Sequence, residues 1–185
     1  MSVPTDGRSA QLVFSLPYRE YAHPSCARLP SNTCVIFQLT DDPNDRKELV
    51  VTSFDPTKGP GPELTRIART SGHEGWAEEL SPDGTRIAMA GTGTIKVLSL
   101  RGKPLHEIKV PGSGPLMEPI WGPDGNSLFV TSGGTLFLVG LDGKIQILIN
   151  EHAPNASLAL PSPDGRHLAI MAEGSEKNLW MMENF

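Results

Sequence analysis

Two pairs of adjacent His and Glu residues are the best candidates for metal ligands in this sequence. His73-Glu74 and Glu151-His152 each lie in a connection that leads into a new group of strands, so their loops could meet on one face. Zinc requires three or four ligands that converge at about 2 Å. The five histidines show no i, i+4 spacing and no paired cysteine. We therefore predict no metal site and interpret both pairs as polar loop groups.

No segment has the pattern of a catalytic nucleophile or of a phosphate-binding loop. Gly112-Ser113-Gly114 lacks the spaced glycines of a nucleophile elbow and stands between two prolines. The run from Gly91 to Lys96 (GTGTIK) lacks the helix that a phosphate-binding loop must open. The sequence therefore predicts no catalytic residues and no cofactor.

Polar and aromatic side chains suited to recognition concentrate in the connections. Loops on a rigid scaffold are where binding residues gather. We predict a binding face built from the loops that enter each first strand and join the middle strands of each repeat. Its members are Tyr18, Arg19, Glu20, Tyr21, His23, Asp41, Asp42, His73, Glu74, Trp76 and His152.

Composition limits the classes of protein and partner. The 185 residues include 19 Gly and 17 Pro and are 38% hydrophobic, which is typical of a soluble, turn-rich, all-β protein. A net charge of −5, with Lys and Arg spread thinly, provides no basic stripe for nucleic acid. No apolar run approaches the roughly 20 residues of a membrane span, and no export signal opens the chain. We expect a cytoplasmic chain as written, or an extracytoplasmic one if it is the tail of a membrane-anchored protein.

The two cysteines, Cys26 and Cys34, flank an expected turn at Leu29-Pro30-Ser31-Asn32. If Leu29 pairs with Thr33, Cys34 faces Arg28 and Cys26 is its diagonal neighbour. Diagonal separations of about 7 to 8 Å slightly exceed the reach of a disulfide. A bridge therefore needs an altered register, which the looser turn permits, and both outcomes stay open. A bridge would favour an extracytoplasmic location.

A recurring turn organises the rest of the chain. The pattern Ser/Gly-Pro-Asp-Gly has its prolines at 82, 123 and 163, which are steps of 41 and 40 residues. Proline sets φ at the first corner, aspartate bonds its own backbone, and glycine takes the left-handed position that closes a hairpin. The structural turn residues are Pro82, Asp83, Gly84, Pro123, Asp124, Gly125, Pro163, Asp164 and Gly165.

Four short strands in each repeat of about 40 residues are typical of a β-propeller blade. We predict one all-β domain of about four blades, over residues 17–70, 71–112, 113–152 and 153–185. The first blade carries extra residues, which we place in loops at 40–46 and 55–62. The last blade lacks a fourth strand. Residues 10–15 are a candidate closing strand, although we favour the alternative of blades from a longer propeller.

Strand bounds follow from the apolar runs, and large apolar side chains are expected in the core. Trp121 and Trp180 should pack between blades, and Met171, Met181 and Met182 should fill gaps. The predicted strands are 21–28, 33–39, 47–54 and 63–67; 76–80, 85–90, 94–100 and 104–110; 117–121, 127–132, 135–141 and 144–150; and 158–161, 166–172 and 178–184.

With these turns in place, residues 76–185 resemble the PD-type, WD-like propeller repeats of the TolB and Tricorn-like families. Tyr21-Ala22, Cys26-Ala27-Arg28 and the ending Asn178 to Phe185 (NLWMMENF) also resemble the C-terminal propeller segment of large bacterial, notably acidobacterial, proteins. In those proteins the propeller follows a serine/threonine kinase domain or a winged-helix domain.

This resemblance implies a non-catalytic binding or sensor module in a larger signalling or regulatory protein. Its expected partner is a protein or peptide, or else a small ligand, and the oligomeric state is undetermined. Two alternatives stay open. The chain could be a propeller domain that gates a Tricorn-like or prolyl-oligopeptidase-like serine hydrolase, or it could be a TolB-like periplasmic scaffold.

Overall fold

The structure is a computed structural model that describes residues 9, 12, 15, 21–41, 47–69, 77–112, 114–150, 155–173 and 178–183. Within these ranges the chain forms strands and turns and no helix. The strands are β1 (Tyr21–Cys26), β2 (Cys34–Asp41), β3 (Lys47–Asp55), β4 (Gly59–Arg69), β5 (Ala77–Leu80), β6 (Arg86–Ala90), β7 (Thr94–Ser99), β8 (Pro104–Lys109), β9 (Met117–Trp121), β10 (Ser127–Ser132), β11 (Thr135–Gly140), β12 (Ile145–Ile149), β13 (Asn155–Pro161), β14 (His167–Glu173) and β15 (Asn178–Glu183).

These strands form four antiparallel sheets in which each strand pairs with its neighbour in sequence. Sheet 1 is β1 to β4, sheet 2 is β5 to β8, sheet 3 is β9 to β12, and sheet 4 is β13 to β15. The predicted all-β, propeller-like fold is confirmed. None of the described residues forms a helix with the length and apolarity needed to cross a membrane.

The repeated turn has the same geometry in sheets 2, 3 and 4. Gly84, Gly125 and Gly165 have φ values of +73°, +67° and +70°. In the first copy, the Asp83 carboxylate accepts a hydrogen bond from the Thr85 amide at 3.1 Å. A left-handed residue at this position is natural for glycine and strained for a residue with a Cβ atom. The turn chemistry thus determines where one strand ends and the next begins.

Successive sheets pack face to face, and the core lies between them. Because side chains alternate along a strand, each sheet contributes one row of apolar residues to each neighbouring sheet. In sheet 3, Leu128 and Val130 pack towards sheet 2, while Phe129 packs towards sheet 4. A third cluster joins Val35 and Phe37 of sheet 1 to sheet 2.

The first strands of the four sheets lie next to one another. Strand β5 contacts β1 on one side and β9 on the other, and β9 contacts β13. Residues far apart in sequence therefore meet along this series of first strands.

Sheet 1 departs from the predicted strand bounds. The loop predicted at 55–62 is wrong, because β4 already begins at Gly59 and the turn is limited to residues 56–58. The Asp55 carboxylate accepts hydrogen bonds from the Thr57 amide and hydroxyl, at 2.8 and 2.7 Å, and closes this turn. The extra residues therefore lengthen a hairpin. In the other predicted loop, Thr40 and Asp41 belong to β2, and residues 42–46 lie outside the described part.

The register of the first hairpin also differs from the prediction. Cys34 lies opposite Cys26, and the two form a disulfide with a Cα–Cα distance of 4.1 Å. The prediction that Cys34 faces Arg28 was wrong because the turn is longer than the repeated one. The connection between the paired cysteines comprises residues 27–33, and the Ala27 amide donates to the Thr33 carbonyl at 2.8 Å.

The predicted core positions divide into two groups. Trp121 is buried between sheets 2 and 3, and Met182 packs against the cluster between sheets 3 and 4. The expectation was wrong for Met171 and Met181, which are 46% and 71% exposed, because no described sheet covers their side of sheet 4. The side chain of Trp180 lies outside the described residues.

The candidate closing strand at residues 10–15 stays a prediction. Leu12 and Ser15 belong to no strand, and the Leu12 side chain is 72% exposed. The remaining residues of this segment lie outside the described part of the chain.

Candidate functional site

His23 is the one member of the predicted binding face whose side chain the structure describes. Tyr21 and Asp41 are described only as strand residues at the ends of β1 and β2. The other members lie outside the described residues, namely Tyr18, Arg19, Glu20, Asp42, His73, Glu74, Trp76 and His152. The predicted loop face therefore remains a prediction, and the site described below is built from strands.

His23 lines a cavity of about 220 Å³, which we call the first-strand cavity. Residues from the first strands of sheets 1, 2 and 3 form its walls. The lining consists of His23 from β1, Ala77, Glu78 and Glu79 from β5, and Glu118, Pro119 and Ile120 from β9.

His23 is half-buried within this cavity. Its Nδ1 atom lies 3.9 Å from Oε1 of Glu78, and its ring packs on Phe37 with centroids 5.2 Å apart. Burial lowers the pKa of His23 below 6.5, although a hydrogen bond to the main chain of Glu78 and the charge of Glu118 both oppose this shift. His23 is therefore mainly neutral at pH 7.

The carboxylates differ in their access to water. The Glu78 side chain is 0% exposed, Glu79 is half-buried, and Glu118 is exposed. Burial raises the pKa of Glu79 to about 7, the charge of Glu118 adds to this shift, and Arg28 opposes it. Near neutral pH, Glu79 thus exchanges between its protonated and ionised forms.

Arg28 is the cation that acts on Glu79. Its amide donates a hydrogen bond to the Pro82 carbonyl at 2.9 Å, which ties the turn of sheet 1 to that of sheet 2. Its Nη1 atom is buried and makes no hydrogen bond within the described part of the chain. The positive charge of the guanidinium opposes the rise in the pKa of Glu79 but does not cancel it.

The main chain around Glu79 is held by sheet 3. The indole Nε1 of Trp121 donates a hydrogen bond to the Glu79 carbonyl at 3.2 Å. The Arg86 guanidinium stacks on the same indole at 5.1 Å and donates to the Gly125 carbonyl at 2.9 Å. These contacts fix the position of β5 relative to β9 and hence the shape of the cavity.

The first-strand cavity is acidic and has a mixed lining. Three glutamates and a mainly neutral imidazole line it, while Pro119 and Ile120 supply apolar surface. Among the described residues, no group of three His, Cys, Asp or Glu side chains has the geometry to hold a metal ion. The arrangement suits an organic cation that donates hydrogen bonds to carboxylates.

A second, more open depression of about 450 Å³ lies over sheet 3. Its described lining includes Ser127, Leu138, Lys144 and Gln146, and Lys144 is the charged member. This depression brings together no set of acid and base groups, so the first-strand cavity is the stronger candidate.

Sequence reasoning missed Glu78, Glu79 and Glu118 because it searched the loops for polar residues. One signal was present in the repeats. Glu79 pairs with Ala88 as Ile120 pairs with Phe129, so Glu79 holds a position that is apolar in the next sheet. A charge at such a position indicates a site, because it would otherwise weaken the packing between sheets.

Comparison with known proteins gives information on the fold. No family model and no curated protein matches the chain. Among solved structures, 323 chains match. One of them is Kuenenia stuttgartiensis hydrazine synthase, with a TM-score of 0.60 and 17% identity over 87% of this chain and 45% of that chain. This chain thus spans less than half of the matched chain, and the likeness shows a shared fold.

Proposed function

We propose that this chain is a non-catalytic recognition module whose first-strand cavity binds a cationic group, such as the end of a basic side chain in a peptide. The observation that supports it is that Glu78, Glu79 and Glu118 line one cavity together with His23, which is mainly neutral at pH 7. The resemblance to C-terminal propeller segments favours a role within a larger signalling or regulatory protein.

Charge supports a cationic ligand over a neutral or anionic one. Burying a carboxylate is costly unless a cation or hydrogen-bond donors compensate. The raised pKa of Glu79 reflects this cost, because the protonated form avoids it. A ligand cation within about 4 to 6 Å of a carboxylate favours the ionised form. Binding should therefore lower the pKa of Glu79 and release a proton.

Size supports a side-chain terminus over a complete small molecule. The cavity of about 220 Å³ is smaller than the roughly 300 to 1,000 Å³ of pockets that enclose drug-sized ligands. It is large enough for an ammonium or guanidinium group and its last methylene groups. The rest of a peptide would then lie on the surrounding surface, in agreement with the protein or peptide partner that the resemblance implies.

The lining lacks one class of catalytic group. Its described side chains include no hydroxyl, thiol or amine that could act as a nucleophile. A carboxyl group with a raised pKa also occurs in general acids, so this feature alone does not separate the two functions. Turnover of any substrate that is lost on Glu79→Gln substitution would overturn the non-catalytic assignment.

The test is a calorimetric titration with N-acetyl-lysine methylamide, N-acetyl-arginine methylamide and the uncharged N-acetyl-norleucine methylamide. We expect at least one cationic probe to bind and the norleucine probe not to bind. Glu118→Gln should weaken binding about tenfold or more, because a hydrogen bond to a charged group contributes about 1.5 to 3 kcal/mol.

Glu107→Gln is the matched control, since Glu107 is an exposed glutamate on β8 and does not line the cavity. This variant should bind the probes as the wild type does. Equal affinity for the norleucine probe, or an equal effect of Glu107→Gln and Glu118→Gln, would contradict the proposal, as would the failure of both cationic probes to bind.

A further inference from the structure

Arg28 carries a hydrogen-bond donor that the described part of the chain leaves unsatisfied. Its Nη1 atom is buried and has no acceptor among the described residues. Leaving a buried donor without an acceptor is costly, and more so when the donor belongs to a charged group. Such an atom in a folded protein therefore requires an explanation.

Two other arginines show how this chain holds a guanidinium elsewhere. Arg66 forms ion pairs with two glutamates, each with an N–O distance of 2.8 Å. Arg86 lies 3.4 Å from the Asp83 carboxylate and donates a hydrogen bond to the Gly125 carbonyl at 2.9 Å. The buried Nη1 atom of Arg28 has neither kind of partner among the described residues.

The main chain holds Arg28 beside the strand that carries Glu79. The Arg28 amide donates to the Pro82 carbonyl at 2.9 Å, and the Arg28 carbonyl accepts a hydrogen bond from the Ser31 amide at 3.0 Å. Pro82 lies three residues after Glu79, in the turn that follows β5. Main-chain bonds thus fix the place of Arg28 next to sheet 2, whatever its side chain contacts.

The charge of Arg28 reaches Glu79 although Arg28 is not among the residues that line the first-strand cavity. This charge opposes the rise in the pKa of Glu79, which means that it stabilises the ionised carboxylate. A ligand cation in the cavity would stabilise the same ionised form. Two positive groups would then act on one carboxylate and would repel each other.

We propose that Arg28 is the resident cation of the first-strand cavity and that it competes with a ligand cation for Glu79, which lowers the affinity of the cavity for positively charged groups. This inference rests on the proposed function, because it requires a ligand cation beside Glu79. A guanidinium bonded directly to Glu79 would occupy the carboxylate oxygens. One that acts by its charge alone leaves them open to a ligand, so Arg28 is a positioning residue and not a ligand contact.

Calorimetric titration at pH 8.5 tests this competition, because Glu79, with a pKa of about 7, is then mainly ionised. The probe is N-acetyl-arginine methylamide, or the lysine analogue if the wild type binds only that one. Arg28→Gln should bind the probe about threefold or more tightly than the wild type, because it removes a like charge close to the ligand. Arg28→Lys keeps the charge and should restore the wild-type affinity. A merely structural role would give the opposite result, since the loss of packing in Arg28→Gln would weaken binding.

Arg66→Gln is the matched control. It removes the same charge from sheet 1, but at a guanidinium that is paired with glutamates and does not line the cavity. This variant should bind the probe as the wild type does. Thermal unfolding shows which variants are folded, and Arg28→Met, which also lacks the charge, should show the same gain as Arg28→Gln and replaces it if that variant is unfolded.

The outcomes separate this inference from the proposed function. If the wild type binds a cationic probe and the uncharged variant at position 28 binds it no more tightly, the competition is overturned and the proposed function stands. An equal gain in Arg66→Gln or in Arg28→Lys would overturn the competition as well. If the wild type binds neither cationic probe, the proposed function fails and this inference fails with it.

Discussion

Glu79 is an ionisable residue at a position where the next sheet has an apolar residue in the packing between sheets. It lies on β5 at the place that Ile120 occupies in sheet 3, and its main-chain carbonyl is bonded to the Trp121 indole. This bond fixes the main chain of Glu79 at the contact between β5 and β9. The acidity of this residue is the most direct reporter of the first-strand cavity.

The first residue-scale prediction concerns the pH dependence of stability. Burial raises the pKa of Glu79 from 4.5 to about 7. A carboxyl whose pKa is higher in the folded state stabilises the fold below pH 4.5, and this contribution is lost as the pH rises towards 7. Glu79→Gln removes the titration. Relative to wild type, the variant should therefore gain on the order of 2 to 3 kcal/mol of unfolding free energy between pH 4.5 and 8.

Urea unfolding at several pH values measures this difference. His23, Glu78, Glu118 and Arg28 remain in both proteins, so their own titrations largely cancel in the comparison. Glu107→Gln, on the exposed face of β8, should show no such gain. A difference between Glu79→Gln and wild type that does not change with pH would show that the Glu79 carboxyl is not desolvated.

The second residue-scale prediction concerns the repeated turn. Gly125 has a φ of +67°, and a Cβ atom added there would lie 3.1 Å from Nη2 of Arg86. Gly125→Val should lower the unfolding free energy by about 1 to 2 kcal/mol or more, because a β-branched residue is forced into the left-handed region. Displacement of Arg86 from the Gly125 carbonyl should add to this loss.

Gly143→Val is the control for the Arg86 contact. Gly143 has a φ of +87°, and an added Cβ atom would have no neighbour within 4 Å. Both variants should lose the backbone contribution, and Gly125→Val should lose more. Equal losses of unfolding free energy in the two variants would show that the Arg86 contact does not contribute. An unchanged thermal unfolding midpoint for Gly125→Val would contradict the left-handed conformation assigned to Gly125 in this turn.

At the scale of elements, the strands were predictable where turn chemistry marks both of their ends. The bounds of β9 and β10 match the predicted 117–121 and 127–132, because Pro-Asp-Gly lies between them. The first hairpin has no such turn, and its register was predicted wrongly. The lengthened β4 was also missed, because glycine and proline in Gly59 to Pro62 usually indicate a loop.

The first hairpin supplies the element-scale prediction. The disulfide between Cys26 and Cys34 closes a short loop, so Cys34→Ser should cost about 2 to 3 kcal/mol of unfolding free energy. Urea unfolding with and without a reducing agent measures this loss. Reduction should destabilise the wild type by a similar amount and leave the variant unchanged. Alkylation of both wild-type cysteines without prior reduction would contradict the bridge.

At the scale of the whole molecule, the fold was predictable from the repeats and the first-strand cavity was not. Each sheet consists of strands that are consecutive in sequence, so the repeat of about 40 residues and its turns suffice to predict it. The cavity forms only when β1, β5 and β9 meet, which depends on how whole sheets pack. His23 was predicted as a binding residue because it lies near the loop that enters the first strand, whereas Glu78, Glu79 and Glu118 lie in strands and gave no loop signal.

The most direct test of cation binding in the first-strand cavity is the number of protons released when N-acetyl-lysine methylamide binds at pH 7. Calorimetric titrations in two buffers with different ionisation enthalpies give this number. Because the pKa of Glu79 is about 7, roughly half of the carboxyls are protonated before binding, and we expect release of about half a proton. Glu79→Gln should bind without this release. If the lysine probe does not bind, the arginine probe takes its place. Failure of both cationic probes to bind, or binding with no proton release from the wild type, would contradict a cation held by the carboxylates of this cavity.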